Sequence, residues 1–168
     1  MVAFGVGLHR YAFHPPDRPC LFPITTFRTQ YIDDQLLAAG FSYASIVGHD
    51  GTTWACSPGY TVLPEEAKSL ASLLASKSLD SITGPGFSVA GQRYAFTRGE
   101  VDDDDGGVPF IQGRCKEEGK STQGIIVMRT TGALLVGVHD PAYANGATFG
   151  KVNTDIGRLA DYFVESGF

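Results

Sequence analysis

"ASIVGHDGTTWACSPGY", from Ala44 to Tyr60, holds the only tryptophan of the chain, Trp54. The stretch reads as a β-hairpin: a β-rich run, an Asp50-Gly51 turn, and a second run. Side chains alternate along a strand, so Trp54 and Cys56 are expected on one side and Thr53 and Ala55 on the other. A domain ordinarily buries its largest aromatic. Whether Trp54 does so depends on aromatics placed elsewhere in the chain.

Upstream, "FRTQYIDDQLLAAG" (27–40) has helix formers, plausible N-caps in Thr25 or Thr26, and a natural stop at Gly40. At 100° per residue, Ile32, Leu36 and Ala39 share one face, while Phe27 and Tyr31 share another. Downstream, "LPEEAKSLASLLAS" (63–76) is a second helix. Pro64 suits its first turn, and Glu65 and Glu66 favour the positive end of the helix dipole. Strand signals follow in "GFSVA", "RYAFTR", "PFIQGR", "GIIVMR" and "ALLVGVH". Pro109 is confined to a strand start. In "KVNTDIGRLADYFVESGF" (151–168), Val152, Ile156, Leu159, Ala160 and Phe163 form one helical face, with Tyr162 on its flank. The order of helix, hairpin, helix, strand meander and helix implies an α+β domain. Its sheet is largely antiparallel, with helices on its faces.

Residues 1–24 differ. "HRYAFHPPDRPCLFP" (9–23) has four prolines and no period, and reads as a flexible extension before a single domain over 25–168. The length of 168 residues suits one domain. A net charge of −5 argues against a general nucleic-acid binder. No stretch is long and apolar enough to span a bilayer. Three scattered cysteines, Cys20, Cys56 and Cys115, do not read as a disulfide framework or a zinc site, and no N-x-S/T sequon occurs. These features are read as those of a reduced, cytoplasmic protein.

Catalytic and cofactor signals are weak. "TGPGFSVAG" (83–91) lacks dinucleotide-loop spacing. "VDDDDGG" (101–107) would place Val101 and Gln112 where a calcium loop needs oxygen ligands and a terminal Glu, so it reads as a solvated acidic loop. His49-Asp50 and His139-Asp140 are neighbours on strands and point to opposite faces. Cys56 has no evident activating base, so a Cys–His hydrolase would require fast-reacting Cys56 or Cys115. No enzyme activity, cofactor or metal is expected. The aromatics remain. If the terminal helices pack side by side over one sheet face, Phe27, Tyr31, Tyr162 and Phe168 join Trp54 in an aromatic strip. Such a strip suits ligands pre-formed as polyproline II. The competing reading is that these rings only pack the helix–sheet interface.

From about Phe27 to Phe168 the chain resembles the profilins. The segments occur in family order: "YIDDQLL", the hairpin "ASIVGHDGTTWACS", "LPEEAKSLASLL", "GFSVAGQRYAFTRGE", "GIIVMRTTGALLVGVHD" and "RLADYFVESGF". The resemblance implies an antiparallel sheet of six or seven strands, with the terminal helices on one face and the shorter helix on the other. It also implies a monomeric, non-enzymatic actin-monomer binder that promotes nucleotide exchange on actin and delivers actin to proline-rich partners such as formins. Many members also bind phosphoinositides. Carried over by position, the polyproline site comprises Tyr31, Trp54, Tyr162 and Phe168. The family usually has Trp three residues before the helix tyrosine; here that position is Arg28, and Phe27 is expected to substitute. The actin surface would include Arg93, Arg114, Lys116, Arg129, Lys151 and Asn153. The acidic loop departs from the family pattern and motivates an alternative, a profilin-like adaptor without actin activity.

Overall fold

The computed structural model describes residues 31–101, 106–143 and 146–168. Phe27, Arg28, Asp102–Asp105 and the expected 1–24 extension lie outside the described residues. Seven strands form one sheet: β1 (Tyr43–Gly48), β2 (Thr53–Cys56), β3 (Phe87–Val89), β4 (Gln92–Glu100), β5 (Phe110–Cys115), β6 (Gly124–Arg129) and β7 (Ala133–His139). Their order across the sheet is β2-β1-β7-β6-β5-β4-β3, and every pairing is antiparallel. The helices are α1 (Pro64–Ala75), a short α2 (Asp80–Thr83) and α3 (Phe149–Glu165), preceded by a π-helix over Tyr31–Leu37. The strand meander and both main helices are those read from the sequence. The single-turn α2 and the π-helical form of the first helix are not.

The central strands are apolar on both sides because both sheet faces are covered. On β1, Ala44 and Ile46 face one core and Val47 the other; on β7, Leu135 and Leu134 divide in the same way. One core joins α1 and α2 to the sheet through Leu70, Leu74, Ile82 and Tyr94. The other joins the π-helix and α3 through Ile32, Leu36, Val152, Ile156 and Phe163. The terminal helices therefore share a face, and the shorter helices lie opposite. Close packing on the central strands is possible because Gly137 leaves a slot for Phe41, whose ring would lie 2.5 Å from any Cβ placed there.

Local chemistry sets the joints. Gly51 has φ +92°, and the Asp50 carboxylate accepts from the Thr52 amide at 3.0 Å, so the hairpin turn is the expected Asp-Gly turn. At α1, the Glu66 carboxylate accepts from Leu63 N at 3.0 Å, which closes half of a capping box around an apolar N-cap. The same carboxylate accepts from Ala90 N at 2.7 Å and Gly91 N at 3.0 Å. Ala90 and Gly91 both have positive φ, so Glu66 ties α1 to the β3–β4 turn. At α3, Thr148 caps the helix by accepting from Lys151 N at 3.2 Å. The cysteines depart from expectation: Cys115 is buried and free, whereas Cys56 is disulfide-bonded. A cysteine count does not reveal which thiols folding brings within bonding distance.

Candidate functional site: an aromatic groove between the terminal helices

The hairpin does not alternate as a regular strand should. Val47 pairs with Thr53 and Ile46 pairs with Ala55, leaving Trp54 as an extra residue in β2. This β-bulge lets Trp54 and Ala55 both pack against the core under the terminal helices. The expected grouping of Trp54 with Cys56 is thus overturned, because the bulge resets the two-residue period. Trp54 itself is half-buried. Space for the indole comes from two glycines. A Cβ on Gly48 would lie 3.1 Å from Trp54 Nε1, and one on Gly132 would lie 3.5 Å from both Trp54 Cη2 and the Phe168 carbonyl carbon.

From Trp54 the rings run continuously. Phe168 packs edge-on against Trp54 at 6.4 Å between centroids, Phe163 lies 5.8 Å from Phe168, and Tyr31 meets Phe163 edge-on at 5.4 Å. Tyr162 lies 6.0 Å from Tyr31, and the Tyr31 hydroxyl donates to the Tyr162 oxygen at 3.4 Å. The structure therefore brings together Tyr31, Trp54, Tyr162 and Phe168 through four ring-to-ring contacts. Phe163 is their hub. Sequence periodicity assigned it to the core stripe of α3, and it is indeed buried. Its second role, as the contact that joins both ends of the strip, has no signal in that periodicity.

The two tyrosines are electrically distinct. Donation from Tyr31 favours the phenolate of Tyr162, so Tyr162 titrates below its ordinary value; losing that proton is correspondingly harder for Tyr31, which is raised. A groove of about 660 Å³ opens beside this pair, lined by Tyr31, Gln35, Ala39, Arg158, Leu159 and Tyr162 among others. It extends the strip between the π-helix and α3, where Tyr162 remains 48% exposed. Rings with hydroxyl tips and an apolar floor can stack on pyrrolidine rings and donate to backbone carbonyls.

The basic candidates fall into two places. Arg93 and Lys116 adjoin across β4 and β5, with Lys116 N donating to the Arg93 carbonyl at 2.8 Å. Arg114 pairs with Gly124, and Gly124 leaves room for the Phe149 ring at the start of α3. Lys151 and Asn153 follow on that first turn, so these five candidates share one end of the sheet. Lys151 is bonded to Asp155 at 2.5 Å. The Asn153 Oδ1 is shielded, without a hydrogen-bond partner among the described residues. Arg129 stands apart at the other end of β6, alternating with Ile125 and Val127 toward the opposite core. It acts electrostatically on His49, whose imidazole is held below its ordinary value first by burial and then by that guanidinium. Among the described residues no cluster of three or more His, Cys, Asp or Glu could hold a metal ion, and no helix is long and apolar enough to cross a membrane.

A family model for profilin matches residues 28–168. Profilin-2 of Acanthamoeba castellanii is 35% identical over 139 residues, covering 82% of this chain and 96% of the relative. The solved structure of Acanthamoeba castellanii profilin IA superposes with a TM-score of 0.68 at 30% identity, covering 83% of this chain and 98% of that one. Two more distant structures share the fold. Mouse profilin IIa in complex with a double repeat from the FH1 domain of mDia1 has TM-score 0.64 at 21% identity, covering 83% of this chain and 97% of that one. The LokiProfilin2/rabbit actin complex has TM-score 0.57 at 15% identity, covering 79% and 92%. With the family model spanning the sheet, both cores and the groove, the chain belongs to the profilin family.

Proposed function

We propose that the protein binds actin monomers and poly-L-proline, promotes nucleotide exchange on actin and delivers actin to proline-rich partners of the formin kind. The continuous ring path from Trp54 through Phe168 and Phe163 to Tyr31 and Tyr162 carries the proline half. A polyproline II ligand is already extended and loses little entropy on docking, so a row of fixed rings suffices to hold it. Phe27 is proposed to take the place of the tryptophan that the family keeps at the position of Arg28. That mouse profilin IIa is solved in complex with a double repeat from the FH1 domain of mDia1 supports the proline half as a whole.

For actin, the proposed surface is the end of the sheet bearing Arg93, Arg114 and Lys116, with Lys151 and Asn153 on the start of α3; Arg129, expected there from the sequence, is at the other end of β6 and lies apart from it. Basic side chains steer encounter with an acidic partner. The actin complex of LokiProfilin2 supports this half. The same basic groups are the proposed contacts for phosphoinositide headgroups, tested by vesicle co-sedimentation. Titrating decaproline against Trp54 fluorescence tests the groove, and no change at millimolar peptide would remove it. Spontaneous polymerisation of actin should slow and its nucleotide release should accelerate; unchanged kinetics would leave the adaptor without actin activity.

A further inference from the structure

The groove does not end at the Tyr31–Tyr162 pair. It runs on between the π-helix and α3, back along α3 toward Asp155. Its chemistry changes there. Leu36 and Leu159, both buried, form an apolar floor with Ala39. The rim is charged, with Asp34 on the π-helix side and Asp155 and Arg158 on the α3 side. Asp34 is exposed, and no hydrogen bond or ion pair engages it among the described residues. Lys151, which does not line the groove, takes Oδ2 of Asp155 at 2.5 Å. Oδ1 of Asp155 has only the Arg158 guanidinium, and their 3.7 Å separation is too long for a hydrogen bond. The Arg158 side chain is 77% exposed against 25% for Asp155, so the carboxylate is recessed and the cation stands out in solvent.

A lysine or arginine side chain fits this end of the groove: its aliphatic stem lies on the apolar floor, and its charged head reaches the two carboxylates. Asp155 precedes Tyr162 by seven residues on α3, about 10 Å at about 1.5 Å per residue. A polyproline II chain covers that distance in about three residues at about 3.1 Å each. We propose that Asp34 and Asp155 make this end a basic-residue subsite, so that the protein prefers proline-rich segments with a lysine or arginine about three residues beyond the proline held at the Tyr31–Tyr162 pair. The inference rests on the reading of the groove as a polyproline site. The rings supply most of the affinity, and the carboxylates choose between ligands. Both carboxylates are solvated, so the gain is about two- to fivefold at low salt and shrinks as salt rises.

The test uses the full chain and labelled peptides blocked at both termini: decaproline, decaproline extended by two alanines and a lysine, and the same extension ending in glutamate. Each extension is placed at either end in turn, because the direction of the bound chain is open. Fluorescence anisotropy should show the lysine peptide binding about two- to fivefold tighter than decaproline in one direction, and the glutamate peptide no tighter. Asp34→Asn should bring the ratio of lysine peptide to decaproline toward one. Arg158→Gln, which removes the competing cation, should raise it. Glu65→Gln removes the same charge from α1 on the opposite sheet face and should leave the ratio unchanged. Equal binding of the lysine peptide and decaproline in both directions overturns the subsite and leaves the polyproline reading intact. Tighter binding of the glutamate peptide does the same, as does an equal loss of preference in Asp34→Asn and Glu65→Gln. If the lysine peptide binds through Asp34 but decaproline does not bind, the subsite stands and the polyproline reading falls. Failure of every peptide to bind overturns both.

Discussion

At the residue scale, the groove depends on where protons and small side chains sit. Tyr31 donates to Tyr162, so the pair ionises in order: Tyr162 first, then Tyr31. Tyr31→Phe should move the Tyr162 titration up toward the usual value of about 10, read by NMR of labelled tyrosine. A Tyr162 titration that stays low in the variant would show that its shift has another cause. His49 gives a pH dependence of stability. Its folded value is depressed, so in alkaline solution both states are neutral and the residue contributes nothing. As pH falls below about 6.5, the unfolded chain takes up the proton first and stability is lost until the folded value is passed. His49→Gln should flatten the fall in denaturation midpoint below about pH 6.5, leaving the midpoint at pH 8 little changed. Neither effect is legible in sequence. "HDG" marks the turn, but the nearness of Arg129 to His49 exists only once β6 and the hairpin share a sheet.

At the element scale, Glu66 joins three parts of the chain with one carboxylate. It completes the start of α1 and holds the two positive-φ residues of the β3–β4 turn. Glu66→Ala should cost about 1–3 kcal/mol, because the half-buried Ala90 amide loses its acceptor. Chemical denaturation measures this, and a loss below about 0.5 kcal/mol would mean that water replaces the carboxylate. Sequence reading placed Glu65 and Glu66 correctly in the first turn and credited them to the helix dipole. The tie to a turn 24 residues away is a tertiary contact that no local pattern contains. The strands tell the same story in reverse. All seven were legible because apolar runs bounded by turn residues are local signals. The bulge at Trp54 was not, since a one-residue mismatch between strands belongs to the pair and not to either strand.

At the scale of the whole molecule, the proposed sites lie along one helix. Lys151 and Asn153 are on the first turn of α3, and Tyr162 is near its end, eleven residues or about 16 Å beyond Lys151. Effects of substitutions at that separation should add. Arg114→Glu/Lys116→Glu should weaken the effect on actin polymerisation while decaproline affinity stays within about twofold. Phe168→Ala should do the opposite, weakening decaproline about five- to tenfold through loss of one ring contact. A coupled loss at both sites would mean that the substitutions unsettle α3 itself. The aromatic strip could be anticipated from helical faces. That four of the basic residues gather with Asn153 at one sheet end, and Arg129 does not, follows from strand register, which the sequence leaves open.

The bulge also bears on how this protein can change over time. Loss of Thr53 would bring Trp54 opposite Val47, restore plain alternation in β2 and send the indole toward the other core. Pairing with β1 could survive such a deletion, since only one residue is unmatched. An otherwise conservative change in length would therefore keep the sheet and discard the groove. In this hairpin, insertions and deletions are more dangerous to function than most replacements of one side chain by another.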